Sequence, residues 1–111
     1  MVKYKSSEDL DFIFAALGNP TRRGILLSLM EGQKSAQDLA QPFEMSLPGI
    51  SKHLQVLEKA KLIKRQKSGR HHLFTVQAEK IKTASLWVSK FEVFWNEKLE
   101  NLDLFLNKEK K

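Results

Sequence analysis

Apolar residues recur three and four positions apart along most of this chain, and in one short segment they switch to alternate positions. Leu10, Ile13, Phe14 and Leu17 make a first helical stripe, opened by Ser7 with Glu8, Asp9 and Asp11 behind it and closed by Gly18-Asn19. Asn19-Pro20 then starts a second helix, because Asn caps a free backbone N–H and Pro has none to waste in the first turn. Its apolar positions are Ile25, Leu26, Leu29 and Met30, and Gly32 ends it. A short third helix runs from a capping Ser35 through Asp38 to about residue 41, burying Ala36, Leu39 and Ala40, with Pro42 to close it. Ser46 and Pro48 repeat the start signal for a fourth, whose inner face is Ile50, Leu54 and Leu57.

The period changes next. Residues 63 to 67 and His71–Val76 read as two strands around Ser68-Gly69-Arg70, where Gly69 supplies the backbone freedom of a tight turn. Phe74 and Val76 alternate with Leu73 and Thr75, so one face of the ribbon lies on a core. From residue 77 or 78 the helical period returns and holds to about residue 106, with Ile81, Ala84, Trp87, Val88, Phe91, Phe94, Trp95, Leu99, Leu102, Phe105 and Leu106 spanning about 140° of the wheel. A face that wide and aromatic exceeds what a terminal helix needs to cover a small core, so part of it is expected to meet a partner. The bland alternative is that the first and last helices only cover each other. The tail Lys108-Glu109-Lys110-Lys111 is expected to fray.

Two helices joined by a few residues, the second exposing small polar and basic groups, are a helix-turn-helix, and the hairpin after them is a wing. The expected fold is mainly α: one winged helix-turn-helix domain over residues 1 to 111, with about five helices and a two-stranded β-hairpin wing.

Charge sharpens this picture. The formal net charge is +6. Residues 1 to 51 carry −1, residues 73 to 111 carry +1, and residues 52 to 72 carry +6, with Lys52, Lys59, Lys61, Lys64, Arg65, Lys67 and Arg70 against Glu58 alone. The whole excess therefore lies on the fourth helix and the hairpin, and phosphate is the obvious counter-charge. An anionic membrane surface is the competing partner, but no helix joins a basic face to a strong apolar one left bare.

Each outward residue of that segment suits a part of a duplex. Gln55 can pair bidentately with adenine and Lys52 can donate to guanine, both on the polar side of the fourth helix with Pro48 and Lys59. Ser46, Gly49 and Ser51 are small enough to let the helix approach bases or phosphates. Arg70 at the hairpin tip suits the minor groove, with Lys64, Lys67 and His71 on phosphates. Arg22 and Arg23, early in the second helix, are open between phosphate contact and plain surface charge.

Other chemistry finds little material. Cysteine is absent, which removes disulfides, thiolate metal sites and thiol redox chemistry and suits a reducing cytoplasm. The apolar C-terminal third is broken by Lys90, Glu92, Asn96, Glu97 and Lys98, so no membrane span is expected, and the N-terminus lacks a run of secretory length. His53 lies about 60° from the inner face of its helix and reads as a packing residue. His71 and His72 are adjacent on a strand and point to opposite faces, so they cannot chelate one ion together; a groove or phosphate contact by one and packing by the other is expected. No nucleophile-base-acid motif and no glycine-rich phosphate loop occurs, so no enzyme is expected, and no cofactor. The rival from another class is an interaction protein whose winged helix serves protein binding.

These pieces, in order, carry a likeness. LGNPTRRGIL on the second helix, SAQDLA on the third, SLPGISKHLQVLEKAKLI on the fourth and KSGRHHLFTV in the hairpin closely resemble the ArsR family of bacterial winged-helix repressors, over about residues 10 to 77. WVSKFEVFW near the C-terminus is also similar to members of that family without metal sites. The resemblance implies a homodimer through the first and last helices, which places Leu10, Phe14, Trp87, Phe91, Phe94, Trp95 and Leu102 at the interface. It further implies binding of double-stranded DNA at a palindromic operator, with repression of a neighbouring gene. Many members sense metals through cysteines on the third helix or through His and carboxylates on the last; here SAQDLAQPF has no Cys and the last helix no His, so an effector is left unassigned.

Overall fold

The structure, a computed structural model, describes residues 8–109; the Ser7 start and the last two residues lie outside them. Eight elements follow one another: α1 Glu8–Leu17, α2 Pro20–Leu29, β1 Lys34–Ser35, α3 Ala36–Ala40, α4 Leu47–Lys59, β2 Ile63–Ser68, β3 His71–Val76 and α5 Ala78–Glu109. A single turn of 3-10 helix, Gln41–Phe43, follows α3. The helix starts obey the caps expected of them: Asn19 accepts from the Arg22 N–H, Ser35 from Asp38 and Ser46 from Gly49.

The core is one cluster in which Ile13, Ala16, Ile25, Leu26, Leu29, Leu39, Ile50, Leu54, Leu57, Leu62 and Phe74 meet. The inner faces of α2, α3 and α4 join the core largely as their periodicity named them, α1 contributes Ile13 and Ala16 while its Phe14 stays exposed, and the sheet closes the cluster with Ile63 and Phe74. Met30 is a correction: it caps α2 at 69 % exposure instead of joining the core, because the helix ends one residue earlier and turns it outward.

The wing is the two-stranded hairpin β2–β3, and a third strand, β1, adds to it. Lys34 and Ser35 pair antiparallel with Phe74 and Leu73, giving the order β1-β3-β2. A two-residue strand has no period to read, and its partner lies far along the chain. The β2–β3 hairpin itself runs from Ile63 opposite Val76 to Ser68 opposite His71. Its two-residue loop puts Gly69 at φ +62°, where a side chain would be strained.

Two turns set the pose of α4, and neither uses glycine. Before it, the Glu44 N–H bonds the Gln41 carbonyl and the Met45 N–H bonds that of Ala40, with Glu44 left-handed at φ 53°. After it, the Lys61 N–H bonds the Glu58 carbonyl and the Leu62 N–H bonds that of Leu57, with Lys61 at φ 60°. This is the helix-ending pattern in which a left-handed residue lets the chain fold back and satisfy the last carbonyls. The second turn leads within two residues into β2, so helix and wing are held in one fixed relation.

α5 is 32 residues long, about 48 Å at the helical rise. Only its first turns touch the body: Ala84 is buried, Ile81 packs on the core, Lys80 pairs with Asp9 at 2.8 Å and Trp87 meets Phe14 edge-on at 5.4 Å between ring centres. The helix reaches Glu109, taking in Lys108 and Glu109 of the tail, and Lys110 and Lys111 lie outside the described residues. The radius of gyration, 19.3 Å, exceeds the roughly 13 Å of a compact chain of this size, as a long unpartnered helix requires. Among the described residues no helix is long and apolar enough to cross a membrane.

Candidate nucleic-acid interface

The outer face of α4 is set by its inner one. Ile50, Leu54 and Leu57 are buried, which forces Pro48, Lys52 and Gln55, on the far side of the wheel, into solvent. Ser51 is half-buried on the flank. The Ser46 hydroxyl accepts the Gly49 N–H at 3.2 Å, so it anchors the helix start. Gly49 is bare for an internal reason: a Cβ there would lie 3.3 Å from both the Met45 side chain and the Ser46 hydroxyl. Both small residues therefore shape the helix tip.

Pairing register divides the wing cations. Opposed residues of an antiparallel pair share a face. Arg65 opposite Phe74 and Lys67 opposite His72 therefore lie on the core side, while Lys64 and His71 lie on the other. The structure thus brings Lys64 and His71 onto one face and puts Lys67 on the reverse, with Arg70 at the tip between them. Both His71 and His72 are exposed, so neither takes the packing role expected for one of them. They stand beyond the end of the core, where neither face of the ribbon has anything to cover.

Several cations of the basic segment are already engaged. Arg65 donates to the Glu58 carboxylate at 2.9 Å and its guanidinium covers the Phe74 ring at 5.2 Å. The Lys59 ammonium sits over Phe12 at 5.1 Å, which turns it toward α1 and away from the Lys52–Gln55 side on which its wheel position placed it. Lys52, Lys64, Lys67 and Arg70 make no ion pair among the described residues. They are the charges available to a phosphate.

Arg22 and Arg23 have an assignment that sequence reading did not reach. Arg22 donates to the Ala16 and Ala15 carbonyls at 2.8 and 3.0 Å, and Arg23 to that of Leu17 at 2.7 Å. They cap the C-terminal end of α1, where free carbonyls and the helix dipole both favour a cation. The same Arg22 reaches His53 Nδ1 at 3.3 Å, which links the end of α1 to α4. His53 accordingly packs, as its wheel position implied; burial first, and the Arg22 charge second, hold its pKa below the ordinary 6.5. The imidazole is thereby neutral and can accept.

Among the described residues no three His, Asp or Glu side chains converge as metal ligands would.

Comparison with known proteins agrees with the geometry. A helix-turn-helix domain family matches residues 17–66. The transcriptional repressor SdpR of Bacillus subtilis is 33% identical over 79 residues, 71% of this chain and 88% of that protein. The arsenical resistance operon repressor of Staphylococcus xylosus is 32% identical over 74 residues, 67% and 71% of the two chains. Among solved structures, one described as an ArsR family transcriptional regulator superposes with a TM-score of 0.74 at 35% identity, covering 80% of this chain and 98% of its own.

Proposed function

The chain belongs to the ArsR family of winged helix-turn-helix transcriptional regulators, and on that premise we propose that it is a sequence-specific repressor that occupies a promoter operator as a homodimer. The carrying observation is that Lys52, Lys64, Lys67 and Arg70, which make no ion pair among the described residues, stand on the outer face of α4 and along the wing. In this reading α4 enters the major groove with Lys52 and Gln55 toward base edges and Pro48, Gly49 and Ser51 allowing close approach. Ser46 lies at its leading end. Arg70 enters the flanking minor groove, and Lys64, Lys67 and His71 meet phosphates.

The dimer would form through α1 and α5. Phe91, Phe94, Trp95 and Leu102 are all about half exposed, and Phe14 and Trp87 stand at the edge of the same strip, with Leu10 farther up α1. Water does not tolerate so long an aromatic face in isolation, and a second copy offers the same face in return. A two-fold axis between such copies would place recognition helices about 34–36 Å apart, which calls for a palindromic operator. A cytoplasmic location follows from the DNA partner.

The test is a binding titration at physiological salt with a duplex selected from the genome and a scrambled one. Preference of about a thousandfold or more for the selected duplex is expected. Equal affinity would reject the reading in favour of a protein partner, and a monomer by ultracentrifugation would reject the assembly.

A further inference from the structure

The first turn of the recognition helix is unlike the rest of its outer face. Its side chains Leu47 and Pro48 carry no donor or acceptor, and the Ser46 hydroxyl before them is held by the Gly49 N–H. Lys52 and Gln55 follow only one to two turns later. Leu47 is 52% exposed at the start of a helix whose Ile50, Leu54 and Leu57 are buried; Val56, the other exposed aliphatic residue of α4, is 37% exposed and lies near the far end of the helix. Leu47 is not completing an apolar cluster, since the shallow depression it borders is lined by Gln37, Asp38, Gln41, Ala40 and Met45.

Resting on the DNA-binding reading above, we infer that Leu47 is a specificity residue that contacts the 5-methyl group of a thymine. The first residues of a recognition helix are those that meet base edges. Along the major groove the base edges offer hydrogen-bonding groups to most side chains, and the thymine methyl is the one apolar group that stands out from them far enough to be buried against a leucine. A leucine placed against any other base would strip water from a donor or acceptor and give nothing back. Opposite a thymine it buries a methyl group, a gain of about fourfold in affinity per contact, which is roughly 0.8 kcal/mol. The front of the helix thus reads shape and methylation state, while Lys52 and Gln55 behind it read hydrogen-bonding pattern.

The inference is tested with the selected duplex by replacing each thymine in turn with deoxyuridine, which deletes the methyl and leaves base pairing intact. Wild-type protein should weaken about fourfold at one or two positions. Leu47→Ala and Leu47→Gln should both bind thymine and deoxyuridine forms alike at those positions, whereas Leu27→Ala, at a still more exposed leucine on α2, should keep the preference. Wild-type binding indifferent to every replacement overturns the inference without any variant, as does an undiminished preference in Leu47→Ala. A protein that selects no duplex at all overturns the DNA-binding reading itself, and the inference with it.

Discussion

Removing Arg70 should change how DNA binding responds to salt, and removing Arg65 should not. Each phosphate neutralised releases condensed counterions and contributes about −0.9 to the slope of log affinity against log salt. Four cations per protomer on the outer face of α4 and the wing, Lys52, Lys64, Lys67 and Arg70, make no ion pair among the described residues, while Arg65 is held at 2.9 Å by Glu58 with side-chain exposures of 40% and 29%. In the proposed dimer that sets about eight cations against the duplex, whether at phosphates or in a groove, and with each displacing counterions as one neutralised phosphate would, the slope is about −7, or about four decades of affinity between roughly 50 and 200 mM salt. Arg70→Ala, acting in both protomers, should bring the slope to about −5.5 and the loss to about three decades. Arg65→Ala should leave it near −7, because a guanidinium already neutralised by a carboxylate displaces no counterion from DNA. Fluorescence anisotropy on the selected duplex at five salt concentrations resolves a difference of this size. An unchanged slope for Arg70→Ala would take the wing tip out of the interface, and equal effects of the two substitutions would show that the Glu58 pair opens on binding.

Four further outcomes follow from particular contacts. Gln55→Ala should relax preference at a single base pair, costing about 1–3 kcal/mol there; a uniform weakening on all sequences would make Gln55 a backbone contact. Phe91→Glu should yield monomers with poor operator affinity, checked by sedimentation, since it puts a charge in the middle of the exposed aromatic strip; an unaltered dimer contradicts the proposed interface. Lys61→Gly should raise stability by roughly 0.5–1 kcal/mol in thermal unfolding, because φ 60° strains a lysine and suits glycine; a loss would mean the cation at the α4 end outweighs the strain. His53 has a folded pKa below its ordinary 6.5, so as pH falls through that value the unfolded chain takes up a proton that the folded chain refuses. Stability is therefore complete above about pH 6.5 and declines below it. His53→Gln should flatten that decline in melting curves at about pH 7.5 and 5.5, and an identical decline would clear His53.

What could be read in the sequence was what one segment decides alone. Ser46 with Pro48 opened α4, Ile50, Leu54 and Leu57 were its buried face, Gly69 made the hairpin turn, and the period change at the wing marked the only long strands; caps, periods and turns act within a few residues, so their signals survive without the fold. A turn over residues 41 to 45 is legible before α4, but the left-handed residues that make this turn and the one after the helix are not, because their usual marker is glycine, and Glu44 and Lys61 stand there instead. The structure alone decided which charges are free. Arg22 and Arg23 close the end of α1, Arg65 answers Glu58, Lys59 lies on Phe12 and Lys80 on Asp9, pairings made across helices whose packing no local pattern encodes. Counting put the whole excess of charge between residues 52 and 72, but only tertiary contacts determine which of those cations an acid or a ring already holds, because the attraction depends on distance in space and not along the chain.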